Sequence, residues 1–212
     1  MKDFPVFTTQ NGVASLILKE IPYRQTAYIR ILDSLEPEAL LKECVEFCVA
    51  VGAEHIYATG HRCLEKYPVF TKILQMGCST DDLPETDAAL FPMQEKTQER
   101  WRSLYNEKMK DVPLASYMTQ KDTESLLQEK KAYFVHRDKT LLGIGIMDGE
   151  KLEAIASVIS GAGRDVVLDL CSIGCSGTIT LEVASKNKKA IKLYTKLGFL
   201  IQEERTVWYW IQ

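Results

Sequence analysis

The segment TITLEVASKNKKAIKLYTKLGFLIQEERTVWYWI, from Thr178 to Ile211, decides the fold. It reads as strand, helix, strand. Leu181 and Val183 alternate with Glu182, which is strand spacing. Asn187 opens a helix, because its side-chain oxygen can satisfy an orphan amide of the first turn. Ala190, Leu193, Tyr194 and Leu197 then make one apolar helical face. Gly198 stops the helix where a left-handed backbone is needed. Phe199, Leu200 and Ile201 begin another extended run, and Val207 to Ile211 is a final strand whose Trp208, Tyr209 and Trp210 read as packing residues.

Upstream, a helix is expected from Lys96 to Met109, with Trp101, Leu104, Tyr105 and Met109 on one face. Asp111-Val112-Pro113 breaks it, and a helix resumes over Thr119 to Leu127. Ala132–Val135, Leu141–Met147 and Leu152–Ile159 follow as strands, with Asp138-Lys139 and Asp148-Gly149 at the turns. That pattern predicts an antiparallel meander. Its last strand runs into Ser160-Gly161-Ala162-Gly163-Arg164-Asp165, a glycine-bearing joint to another helix.

Leu181, Val183, Asn187, Ala190, Leu193, Tyr194, Lys196, Gly198 and Phe199 reproduce, in order, the L-x-V, N-x-x-A and L-Y-x-K-x-G-F pattern of the GNAT superfamily of acyl-CoA N-acyltransferases, which the segment resembles. The bland alternative is an ordinary strand–helix–strand unit. The resemblance implies a mixed α/β (α+β) sheet of GNAT type, acetyl-CoA as co-substrate and no metal. It implies that the helix–break–helix of Lys96–Leu127 lines the acceptor side. It also implies that the cofactor lies where the fourth strand meets the next helix, at Val158, Ile159, Gly161, Ala162, Gly163, Arg164 and Asp165, with Asn187 touching its arm and Tyr194 at its sulfur end.

The chemistry of that joint is legible by itself. Glycines let a backbone approach a ligand closely, and free amides of a helix's first turn favour an anion such as a pyrophosphate. Arg164 adds a charge-assisted contact, while Asp165 is unfavourable there unless it turns away. The loop is shorter than the family's and lacks its leading basic residues; a plain strand-to-helix turn is the alternative. Thioester aminolysis needs a neutral amine and benefits from a proton on the departing thiolate. A tyrosine of pKa about 10 remains protonated at neutral pH. Tyr194 occupies the position that supplies this proton in the family, against the alternative of a packed aromatic. Glu153, placed on the strand face of Ile155, Ser157 and Ile159, is the candidate base, against a solvated strand-end charge. Backbone amides near Val158 would polarise the carbonyl.

The first half repeats the order. Strands are expected over Phe4–Phe7, Val13–Leu18, Thr26–Leu32, Glu54–Ala58 and Ala88–Met93, with a turn at Asn11-Gly12. Helices are expected from Glu36 to near Gly52 and over about Leu64–Met76, ending at Gly77. Phe70-Thr71-Lys72-Ile73 then corresponds to Tyr194-Thr195-Lys196-Leu197. The reading is a tandem chain: a truncated GNAT-like unit over residues 1–94, a linker across Asp81–Glu85, and a GNAT-like N-acetyltransferase domain over residues 95–212. A single mixed domain with an N-terminal extension is the alternative. Asp33-Ser34-Leu35-Glu36-Pro37-Glu38 lacks glycine and is acidic, so the first unit is expected to have no CoA site.

Composition bounds the rest. The chain is 46% apolar with a net charge of −3, which weighs against bulk nucleic-acid binding. No apolar run reaches the roughly 18 residues of a membrane helix, and no secretory signal opens the chain, so a cytoplasmic location is expected. Cys44 and Cys48, like Cys171 and Cys175, are four apart on expected helices. No histidine lies beside either pair in sequence, and core packing is favoured over metal ligation. His55, His61 and His136 stand apart from one another. The expected activity is acetyl transfer from acetyl-CoA to a primary amine, of a small molecule or a peptide. The alternative is a catalytically inactive GNAT-like binding or dimerisation module; a homodimer is one possible assembly.

Overall fold

The computed structural model describes residues 5–174 and 177–212. Phe4, in the first expected strand, and Cys175 lie outside the described residues. Two compact units form: one from residues 1–73 and 204–212, the other from residues 74–203. The division expected at residues 94 and 95 followed chain order. The compact units instead divide β5 (Val69–Ser79) and β11 (Leu200–Trp210), each of which gives residues to both.

In the first unit, β1 (Val6–Thr9) and β2 (Gly12–Ile17) form a hairpin around Asn11. β2 pairs antiparallel with β3 (Thr26–Ser34), and β3 pairs parallel with β4 (His55–Thr59). Parallel neighbours need a crossover, which α2 (Pro37–Ala50) supplies after the short α1 (Ile21–Arg24). Pro37 suits a first turn, and Gly52 takes a positive φ of 98° just past the helix. Leu40, Leu41, Cys44 and Cys48 of α2 pack on Ala14, Leu16, Ala27, Ile29, Ile56 and Ala58. Both thiols are buried, and burial pushes them up to about 12 at Cys44 and about 11 at Cys48, so they behave as apolar packing groups.

The helix expected over Leu64–Met76 is absent. A 3₁₀ turn covers Arg62–Lys66 and β5 follows from Val69. Pro68 disfavours a helical residue before it, and Val69, Phe70, Thr71 and Ile73 are β-branched or aromatic, so the local preference is extended. The correspondence between Phe70–Ile73 and Tyr194–Leu197 therefore fails, although the strand–helix–strand order before it recurs. The last strand is also longer than expected, running unbroken from Leu200 to Trp210.

The second unit carries β6 (Ala89–Pro92), α3 (Gln98–Met109), α4 (Gln120–Gln128), β7 (Ala132–Arg137), β8 (Thr140–Asp148) and β9 (Lys151–Ser157). Next come α5 (Gly163–Cys171), β10 (Thr178–Ala184) and α6 (Lys188–Lys196). β6 to β9 pair antiparallel in sequence, as the meander requires. β9 and β10 are parallel. Trp101, Tyr105 and Met109 of α3 cover one face of the meander against Phe134, Ile144, Ile146 and Ala156. Val166, Val167 and Leu170 of α5, with Tyr194 and Leu197 of α6, share a second core with Val135, Leu142, Leu152 and Leu181.

α5 is seated on two glycines of β8. A Cβ on Gly143 would lie 2.6 Å from a Val166 methyl, and one on Gly145 would overlap a Leu170 methyl and lie 2.9 Å from the Ala154 carbonyl oxygen. The helix thus rests directly on the sheet. Replacing Gly145 by Ala is expected to destabilise the fold by about 1–3 kcal/mol through overpacking, read from the urea midpoint at unchanged slope. An unaltered midpoint would show that α5 has room to lift.

Candidate functional site

β9 is tied to its two neighbours unequally. It follows β8 along its length, but it pairs with β10 only at Lys151↔Thr180 and Leu152↔Leu181. Past those pairs the two parallel strands separate. At the point of separation the β8–β9 register shifts, Ile146 facing Ala154 while Met147 faces Leu152, so Glu153 is the extra residue of a β-bulge. The bulge splits the alternation expected from Glu153 to Ile159. Leu152 and Ile155 go to the α5–α6 core, whereas Ala154 and Ala156 face α3. Glu153 is solvent-exposed and has no ion pair or side-chain hydrogen bond among the described residues.

The amides expected to face a ligand are partly redistributed. Those of Val158 and Ile159 both donate to the Leu142 carbonyl on β8, at 2.8 and 3.4 Å, so neither is available to polarise a carbonyl. Because ladder bonds alternate along an antiparallel pair, the amides of Ser157 and Ile155 point the other way, toward β10. Sequence reading missed these two residues as donors. The usable signal was their shared parity, two and four residues before Ile159, the end of the expected run.

The turn into α5 is built to leave its first amides open. Ala162 donates to the Ile159 carbonyl at 3.2 Å, and the next bond starts at Val166, which donates to Ala162. The intervening amides of Gly163, Arg164 and Asp165 have no partner among the described residues, and no side chain caps the helix. Such a terminus carries partial positive charge. Gly161 supplies a positive φ of 87° with open space beside it. Gly163 is the close-approach glycine, for a Cβ there would sit 3.0 Å from a Leu193 methyl and 3.2 Å from Ser157 Oγ. Asp165 is turned away into an ion pair with Arg137 at 3.0 Å, and Arg137 also holds Asp87 at 2.7 Å. Arg164 is exposed, with a 3.4 Å contact to Asp165.

α6 meets this turn from the other side. Asn187 caps it, its side-chain oxygen accepting from the Ala190 amide at 3.2 Å, and Gly198 ends it at a φ of 93°. Tyr194 is 7% exposed and interacts with Cys171 at the far end of α5. Burial, reinforced by that thiol, pushes the phenol well above its ordinary range, so it stays protonated at any physiological pH. Its hydroxyl has no hydrogen-bond partner among the described residues. Gly143 and Gly145 lie under Val166 and Leu170 and face Ser157 and Ile155, so α5 runs back along β9. Gly163 to Cys171 spans about 12 Å of helix, and Ser157 to Glu153 about 13 Å of strand. The open amides thus stand at one end of α5, and the buried ring of Tyr194 lies near Cys171 at the other.

No protein-family model and no curated protein matches the sequence. Solved structures match at the level of the backbone. A GCN5-related N-acetyltransferase from Sphaerobacter thermophilus aligns at TM-score 0.60 and 12% identity, over 94% of this chain and 76% of its own. A GNAT-family acetyltransferase from Colwellia psychrerythraea aligns at TM-score 0.55 and 14% identity, over 98% and 84%. A tandem GNAT protein from the clavulanic acid biosynthesis pathway aligns at TM-score 0.53 and 12% identity, over 94% and 78%.

One feature of α5 predicts a pH dependence. Asp169 is 5% exposed, its Oδ2 has no partner among the described residues, and burial raises its pKa. The folded state therefore holds this proton more tightly than the unfolded chain. The resulting stability is present below the unfolded pKa of about 3.9 and is lost as pH rises through the folded value. Asp169→Asn is expected to gain stability over the parent at pH 7 and little at pH 3.5, measured by urea unfolding at both. Equal gains at the two pH values would contradict the raised pKa. By these backbone matches the chain has the mixed α/β fold of the GNAT acetyltransferases.

Proposed function

We propose that the protein is an acyltransferase that moves an acetyl group from acetyl-CoA to a primary amine. The single observation that carries the reading is the trio of unpaired amides at Gly163, Arg164 and Asp165, at the mouth of the gap between β9 and β10. A diphosphate suits that terminus by charge and by hydrogen bonding, and the ion pair of Asp165 with Arg137 offsets the charge of the carboxylate in the helix's first turn. The pantetheine arm would then follow the free edge of β9. Its thioester carbonyl would meet the amide of Ile155 or Ser157, donors aimed at a developing oxyanion. Tyr194 would protonate the departing thiolate, its high pKa keeping the proton available until the sulfur bears charge. Glu153, at the bulge, is the base proposed to take the amine proton, directly or through water. The amine acceptor would enter from the side of α3 and α4, and no described helix is long and apolar enough to cross a membrane.

A second reading has one specific observation in its favour. Glu153 is exposed and nothing among the described residues orients it, as a positioned base would require. On that reading the chain is a non-catalytic module that keeps the fold, as a binding partner or as a dimer of itself.

Acetyl-CoA at a hundred times its Kd is expected to stabilise the protein by about 2.7 kcal/mol, seen as a raised thermal midpoint. An unmoved midpoint at saturating acetyl-CoA would remove the donor assignment. Arg164→Glu places a carboxylate beside the amides and is expected to weaken acetyl-CoA roughly tenfold. Tyr194→Phe should lower kcat about a hundredfold with little change in acetyl-CoA affinity. Acetyl-CoA binding without transfer to any amine in a broad panel would favour the second reading.

A further inference from the structure

The first unit contains a basic cavity of about 430 Å³ that the acyl-transfer reading does not use. Its walls come from Arg30 and Ile31 of β3, Thr59 and Gly60 at the end of β4, the following 3₁₀ turn, and β11 from Arg205 to Tyr209. β3 and β4 pair from Thr26↔His55 to Arg30↔Thr59, so the cavity opens where their parallel pairing stops. The carboxyl ends of parallel strands are where open α/β sheets take ligands. Gly60, at a φ of 102°, lets the chain turn against the β3 backbone, where a Cβ would overlap the Ile31 carbonyl oxygen. The helix that would follow β4 is replaced here by the short turn and β5, and the space stays open.

The lining is net positive. Arg30, Arg62 and Arg205 line it together with one carboxylate, Glu65. Arg30 and Arg62 make no ion pair or side-chain hydrogen bond among the described residues, unlike Arg137 or Lys66, whose charges are matched. His61 adds a donor. Its Nδ1 accepts from the Cys63 amide at 3.1 Å, which puts the proton of the neutral ring on Nε2. Thr59 is fixed by donating to the Val207 carbonyl at 2.7 Å, holding β4 to β11 at the cavity floor. The terminus of α2 contributes nothing comparable: Pro37 has no amide proton, and Glu36 and Glu38 flank it. Recognition there would run through side chains, not through helix amides.

We propose that this cavity is a second ligand site, for a phosphorylated small molecule held by Arg30 and Arg62 with His61. Guanidinium forks match phosphate oxygens in pairs, and two unpaired forks around one cavity suit a dianion better than a monocarboxylate. The cavity's size is that of a small metabolite.

The test is titration of inorganic phosphate into the ¹⁵N-labelled full chain, reading the amides of Gly60 and Thr206, which report on this cavity separately from the α5 turn. Saturable shifts at both are expected, with binding weakened roughly tenfold or more in Arg62→Gln and in Arg30→Gln. Glu65→Gln, which removes the opposing charge, should tighten binding. Unmoved Gly60 and Thr206 resonances at saturating phosphate, or shifts that persist unchanged in both arginine variants, would overturn the proposal. Citrate binding more tightly than phosphate and pyrophosphate would also overturn it, by making the site one for carboxylates.

Discussion

The contact of α5 with Gly143 and Gly145 is the constraint on which the second unit turns. Side chains at those two positions of β8 would hold the helix off the sheet, since Val166 and Leu170 occupy the space a Cβ would need. With the helix seated, its N-terminus falls at the end of β9, its far end reaches Tyr194, and the turn between strand and helix can be short. A short turn with Gly161 and Gly163 leaves no side chain to cap the helix, and the amides of residues 163–165 remain open. Packing in the core and chemistry at the surface are in this way two consequences of the same missing methyl groups.

The parting of β9 from β10 has a separate cause. An extra residue, Glu153, enters β9 against β8, and the strand keeps its pairing with β8 while its other edge leaves β10. The edge so exposed carries the amides of Ile155 and Ser157. The first unit has the same strand–helix–strand order in β3, α2 and β4, but its chemistry differs. An acidic, proline-capped helix start replaces the open amides, and arginines gather at the strand ends instead.

Much of this was legible in the residues. Asn187, the apolar spacing through Leu197 and Gly198 specify α6 locally, and all three behave as the pattern requires. The meander of β7 to β9 follows from alternation and turn residues in the same way. What escaped depends on partners distant in sequence. The bulge at Glu153 exists only relative to β8, so no pattern within β9 reveals it. The rotation of Asp165 away from the turn depends on Arg137, on a strand well upstream. The engagement of the Val158 amide depends on Leu142. At Phe70–Ile73 the deciding signal is local: Pro68 and the β-branched run favour a strand, against the analogy with Tyr194–Leu197.

The central claim is that the first turn of α5 receives a diphosphate. Amide resonances of Gly163, Arg164 and Asp165 in the ¹⁵N-labelled protein measure this most directly as coenzyme A is added. The account predicts large, saturable shifts at these three amides, with accompanying shifts at Ile155 and Ser157 along the free edge of β9. Saturable binding that moves other resonances and leaves these three in place would contradict it.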